Sequence, residues 1–268
     1  MTIAPGLCSV TFRSLTADDV IAVAGRAGVV GIEWGADVHA PPGGGAALET
    51  LGARTRDAGI EVVSYGSYLG MAPPDGDDAG VVDAALDSAE ALGAPMVRIW
   101  TELGVTPASS ATERARVTDR TAGLVDRIAA RGLLTALEFH PATLTESAAS
   151  AKELVDGLAR PGLRTHWQPD PALPADRALA ELALVTPHLA HLHTFAWGPA
   201  GIDDRRPLER GASLWTAALA LADREGAPLP GRRYALCEYV PHDDPEQLVA
   251  DVRVLRRWLD ELGGSHDR

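Results

Sequence analysis

Short apolar runs rich in β-branched and aromatic residues alternate along the chain with longer helix-like stretches. Eight runs read as strands. They lie near Leu7–Arg13, Gly31–Gly35, Val62–Tyr68, Met96–Thr101, Thr135–His140, Leu163–Gln168, Ala190–Phe195 and Tyr234–Val240. A helical segment follows each of them. In "TADDVIAVAGRAG", Thr16 stands where a cap is needed and Gly28 where a helix stops. Strict βα alternation implies parallel strands, because the helix supplies the crossover. Eight such units in 268 residues predict an α/β protein, one (β/α)8 TIM barrel domain over residues 1–268. The rival is an open doubly wound sheet, which usually carries a Gly-rich phosphate turn after its first strand. Here "RSLTADD" follows the first strand, and "PPGGGA" at 41–46 comes later and lacks the G-x-G-x-x-G spacing.

Composition narrows the partners. The formal net charge is −13, the opposite of the basic patch that grips nucleic acid phosphates. No apolar run is long enough to span a membrane, and "MTIAPGLCSV" lacks a basic region followed by an apolar one. The expected compartment is the cytoplasm, and the expected partner is a small polar molecule. Cys8 and Cys237 give neither a disulfide framework nor a zinc spacing and read as small core residues.

In such a barrel the chemistry sits where strands end and βα loops begin. The second strand delivers Glu33, with His39 in its loop. The fourth brings Arg98, Trp100 and Glu102, the fifth Glu138 and His140, and the sixth His166 and Gln168. The seventh brings His191 and His193, and the eighth Glu238. Residues two apart on a strand share a face. Glu138 and His140 therefore point together, as do His191 and His193, with Leu137, Phe139, Leu192, Cys237 and Tyr239 opposite. Four consecutive strands then send polar groups inward at one end. Two carboxylates, an imidazole and a carboxamide suit Mg²⁺, Mn²⁺ or Co²⁺ better than a thiolate-seeking metal. Such an ion would offset the cost of burying the carboxylates and polarise a carbonyl as an enediolate forms.

The segments "GIEWGADVH", "LEFHPATLTES", "HWQPDP", "HLHTFAWG" and "CEYVPHDDPEQLVADVRVLRRWL" together resemble the xylose isomerase-like TIM barrel superfamily of sugar isomerases and epimerases. The resemblance covers nearly the whole chain. It implies one divalent ion, most often Mn²⁺, with Glu138, Gln168, His193 and Glu238 as ligands. Gln168 departs from the commoner Asp, which implies weaker ion binding and a stronger Lewis acid. The resemblance also implies that Glu138 and Glu238 form the acid–base pair and that His140 lies near substrate oxygens. Arg205 or Arg206 would contact substrate hydroxyls, Glu33 and His39 would be supporting or substrate contacts or else order their loop through hydrogen bonds, and His191 would contact substrate. Trp100 and Trp197 are the expected walls for a sugar face, with Trp34 and Trp167 packed outward. Family members often pair into homo-oligomers. The function expected is isomerisation or epimerisation of a small sugar or hydroxy-ketone by proton abstraction beside a carbonyl. The same first step serves a lyase or dehydratase acting on a keto-sugar, keto-inositol or oxidised glycoside. A barrel that only binds a sugar or a partner is a further alternative.

Overall fold

A computed structural model describes residues 3–73, 76 and 79–264. Eight strands close into a barrel: β1 (Ile3–Cys8), β2 (Gly31–Gly35), β3 (Glu61–Gly66), β4 (Met96–Ile99), β5 (Leu134–Glu138), β6 (Leu163–Trp167), β7 (Leu189–Thr194) and β10 (Arg233–Cys237). Every neighbouring pair is parallel, and β1 closes the ring against β10. Helices α1 (Ala17–Ala27), α2 (Ala46–Asp57), α3 (Ala79–Leu92), α4 (Ala111–Ala130), α5 (Ala148–Leu158), α6 (Ala175–Val185), α7 (Ala212–Glu225) and α8 (Pro245–Gly264) form the crossovers. This is the (β/α)8 barrel that the alternation predicts.

Local chemistry sets the helix ends. Thr16 and Asp19 form a reciprocal capping box on α1, and Ser110 and Glu113 do the same on α4. Gly28 ends α1 in the left-handed conformation with φ 78°. Most of the buried apolar mass lies between strands and helices and includes Leu7, Trp34, Leu137, Trp167, Leu192 and Trp215. The barrel interior is lined by smaller clusters, Ala4, Cys8, Val10, Val63, Tyr234 and Leu236 in one and Met96, Ala136 and Ala190 in another. Both cysteines are free and buried, as expected.

Two features differ from the sequence reading. The first strand ends at Cys8, and Ser9–Phe12 form a 3-10 turn. All four turn residues are buried, so the apolar run continues past the strand and hides its end. The loop after β7 also holds an antiparallel hairpin, β8 (Ala196–Gly198) with β9 (Gly201–Arg206). Its second strand reads "GIDDRR" and is mostly exposed, so it carries no apolar alternation. Among the described residues no helix is long and apolar enough to cross a membrane.

A candidate metal and acid–base centre at the barrel mouth

The C-terminal ends of β2, β4, β5, β6, β7 and β10 bring six charged or imidazole groups together. Glu33, Arg98, Glu138, His166, His193 and Glu238 are all buried. Glu138, His193 and Glu238 each offer a ligand atom, and these atoms lie within 4.8 Å of one another. His193 Nδ1 is 3.7 Å from Glu138 Oε1 and 3.6 Å from Glu238 Oε2. Neither nitrogen of His193 has a hydrogen-bond partner, and the same is true of His166. A buried polar atom without a partner costs on the order of 1–3 kcal/mol. Two carboxylates and an unclaimed imidazole therefore fit a divalent cation, which would satisfy His193 and neutralise the acids together.

Arg98 is the internal counter-charge. Its Nε lies 2.9 Å from Glu138 Oε2 and 3.5 Å from Glu33 Oε1, and its Nη1 donates to the Ser67 carbonyl at 2.9 Å. The Arg98–Glu138 contact is an ion pair by distance, but the N–H is not aligned on the oxygen as a hydrogen bond. Burial alone would lower the Arg98 pKa, and the carboxylates of Glu138 and Glu33 outweigh it and raise it. Strand register makes the room. Gly66 pairs with Arg98 across β3 and β4. A Cβ on Gly66 would stand 2.9 Å from an Arg98 nitrogen and 3.1 Å from Glu33 Oε1. Ser64 pairs with Glu33 across β2 and β3, and its hydroxyl donates to Glu33 Oε2.

Among the described residues Glu238 has no arginine at contact distance, and its ion-pair neighbour is His193. Burial lifts its carboxyl to about 7, His193 opposes the shift and Glu138 adds to it. His166 is held well below the ordinary histidine range, first by burial and then by His193. It is a neutral ring lying 5.3 Å from His193 in a stacked arrangement.

The remaining expected residues divide by position. Gln168 lies just past β6, and its Nε2 donates to the Phe139 carbonyl at 2.5 Å. That acceptor fixes which end of the amide is nitrogen. The ring of His140 packs on Trp100 at 4.0 Å rather than joining Glu138. Trp197 stacks on Phe195 at 3.9 Å and stands 6.0 Å from the Tyr239 ring. Arg205, paired with Trp197 across the hairpin, lies over Tyr239 at 5.0 Å and reaches Asp243. Arg206 is exposed and pairs with Asp204. Trp34 and Trp167 are fully buried in the outer core.

His39 and His191 are both engaged within the fold. His39 has Ser9 Oγ 3.1 Å from Nδ1 and the Leu15 carbonyl 3.1 Å from Nε2. Both nitrogens are occupied in ordering the loop after β2. His191 accepts the Tyr234 backbone N–H on Nδ1 and packs edge-on against the Tyr234 ring. Tyr234 is the second residue of β10, so His191 lies deeper in the barrel than His193. Burial, reinforced by Arg233, pushes its pKa down to about 3, and it is a neutral core residue.

Other mouth residues carry no local sequence signal. Arg13 bonds Asp37 at 2.5 Å, the Tyr239 hydroxyl at 2.9 Å and the Tyr68 hydroxyl at 3.2 Å. Tyr239 has φ 51°, and His242 and Asp243 after it are also left-handed. The backbone leaves the strand path just after Glu238, which turns Tyr239 onto the mouth instead of the outer face. Non-glycine residues in this region carry strain that clusters at functional sites.

Fold and site together define a parallel eight-stranded barrel with an acidic, imidazole-bearing centre at its C-terminal mouth. The chain belongs to the xylose isomerase-like TIM barrel family, whose profile matches residues 21–258. No curated protein matches the sequence. Three solved structures illustrate the likeness. The probable 3-DHS dehydratase AsbF of Bacillus anthracis is 17% identical, with 94% of this chain and 98% of that one covered and a TM-score of 0.77. An L-ribulose 3-epimerase is 13% identical, with 99% and 97% covered and a TM-score of 0.70. A xylose isomerase-like TIM barrel protein from Mycobacterium smegmatis, in complex with magnesium, is 15% identical, with 97% of each chain covered and a TM-score of 0.68.

Proposed function

We propose that the protein is a divalent-metal-dependent isomerase or epimerase of a small sugar or related hydroxy-ketone. The observation that carries this is the buried convergence of Glu138, His193 and Glu238 at the mouth. Those three, with the Gln168 carboxamide as a fourth donor, would hold the ion, and Mn²⁺ suits the set best. When bound, the ion polarises a substrate carbonyl and takes up charge as it develops.

The chain's own residues do the rest. Glu138 removes the proton beside the carbonyl, with Arg98 as its counter-charge at 2.9 Å. Glu238, the second carboxyl of the centre, returns a proton. Trp100 with His140, and Trp197 with Tyr239, wall the mouth against the C–H face of the substrate, and Arg205 meets its hydroxyls.

The test is metal-dependent turnover on a panel of ketoses, aldoses and keto-polyols in D2O. EDTA should abolish it and Mn²⁺ restore it, with deuterium entering at the carbon beside the carbonyl. Turnover without that exchange would point to a hydride shift and overturn the proton-transfer roles. The likeness to a dehydratase supports a second reading, in which the same proton removal expels a β-hydroxyl. A product lacking the elements of water would select it.

A further inference from the structure

His193 sits between two groups of carboxylate oxygens. Its Nδ1 faces Glu138 and Glu238 at 3.7 and 3.6 Å, and its Nε2 faces Glu33 Oε1 at 3.6 Å. A neutral imidazole has one N–H and one lone pair, and it binds a cation through the lone pair. The hydrogen bond made by one nitrogen decides which role the other plays. We propose that Glu33 is a positioning residue: it accepts the Nε2–H of His193 and so presents the Nδ1 lone pair to the ion held with Glu138 and Glu238. This inference rests on the metal-site reading above.

Glu33 is built for that task. It is 2% exposed, and three features fix its carboxylate. The Ser64 hydroxyl occupies Oε2, Arg98 Nε lies 3.5 Å from Oε1, and Gly66 leaves the space for both groups. His166 also approaches Glu33, with Nε2 3.8 Å from Oε2, but Ser64 already donates to that oxygen. Oε1, which carries no hydroxyl donor, is shared by Arg98 and His193. Cys8, Glu33 and His193 could themselves surround an ion. That group, however, holds one carboxylate where Glu138, His193 and Glu238 hold two, and His193 has a single lone pair to give.

Substitution should read out in ion affinity and in the imidazole proton, not in activity alone. Carboxylates that support a ligating histidine typically contribute roughly 10–100-fold in metal affinity. Calorimetric titration of Mn²⁺ into EDTA-stripped protein should show a loss of about that size in Glu33→Gln. Ser64→Ala should lose several-fold, and because it leaves the charge unchanged that loss cannot be electrostatic bookkeeping. Ser64→Thr, which keeps the hydroxyl, should restore wild-type affinity. Long-range ¹⁵N–¹H spectra of the Zn²⁺-loaded protein, assigned with His193→Gln, should place the His193 proton on Nε2. A proton on Nδ1, or affinities within twofold of wild type in both Glu33→Gln and Ser64→Ala, would overturn the role of Glu33. Should Glu33→Gln not fold, the Ser64 pair and the wild-type spectrum decide. A wild-type protein that takes up no ion overturns the metal reading together with this one. Uptake with unchanged variants overturns this one alone.

Discussion

Arg98 Nε approaches Glu138 Oε2 to 2.9 Å in a part of the barrel where both side chains are almost wholly enclosed. Arg98 also faces Glu33 and lies over the rings of Tyr68 and Trp100, so one guanidinium answers for several carboxyls. Removing one partner of a buried ion pair typically costs about 3–5 kcal/mol, because the other charge is left uncompensated. Arg98→Met should therefore destabilise the metal-free protein by roughly that amount. It should also bind Mn²⁺ more tightly than wild type, since a competing positive charge has gone. Urea unfolding with and without Mn²⁺ checks both effects. A metal-free variant as stable as wild type would show that the pair is not the counter-charge described.

The hairpin separates two neighbouring arginines. Arg205 sits over Tyr239 on the mouth, and Arg206 is exposed and tied to Asp204. With a substrate in hand, Arg205→Ala should lower kcat/KM by about tenfold or more, a loss of about 1.4 kcal/mol. Arg206→Ala should stay within twofold. Steady-state kinetics of the two variants decide it, and equal losses would show that the hairpin does not sort them.

The sequence carries the barrel because eight βα periods survive in the spacing of apolar runs, and strand ends then supply Glu33, Glu138, His193 and Glu238. What it does not carry is relations across strands. The Gly66–Arg98 and Ser64–Glu33 neighbours depend on register between strands, which no local pattern states. Alternation also fails where the backbone leaves the strand. Tyr239, expected opposite Glu238, turns inward at φ 51°. His140, expected beside Glu138, follows the end of β5 and packs on Trp100. His191 does share a face with His193, but depth along the strand decides its fate, and depth depends on register too.

Asp251 gives a pH prediction away from the centre. It lies on α8, where its Oδ1 accepts the Leu208 N–H at 2.9 Å and the Gln247 amide at 2.8 Å. Burial raises its carboxyl from 3.8 to about 6, against the pull of those two donors. A raised acid pKa means the folded protein holds a proton that the unfolded chain releases. The associated stability is full below pH 3.8 and is lost as the pH rises through about 6. Above that the ionised form carries a cost of about 3 kcal/mol. Asp251→Asn keeps the acceptor oxygen and removes the titration. Its stability relative to wild type should increase between pH 4 and pH 7.5, read from urea unfolding of the metal-free proteins. A difference that stays flat across that range would exclude Asp251 as the source.

Gln168 is the position at which the expected ligand set departs from its usual form. Its nitrogen is committed to the Phe139 carbonyl, so the amide oxygen is the atom left for an ion. A carboxylate in its place adds a negative charge to the proposed ligand set and gives up the donor to Phe139. Charge on the ligands strengthens the hold on a divalent cation and weakens the pull of that cation on a carbonyl. Gln168→Asp should therefore bind Mn²⁺ about tenfold more tightly, a gain of roughly 1.4 kcal/mol. It should also turn over more slowly at saturating metal. Gln168→Leu should lose affinity. Calorimetry separates the outcomes, because affinity unchanged in both variants would remove Gln168 from the ligand set. The ion would then be left to Glu138, His193 and Glu238, with more of its coordination free for substrate oxygens.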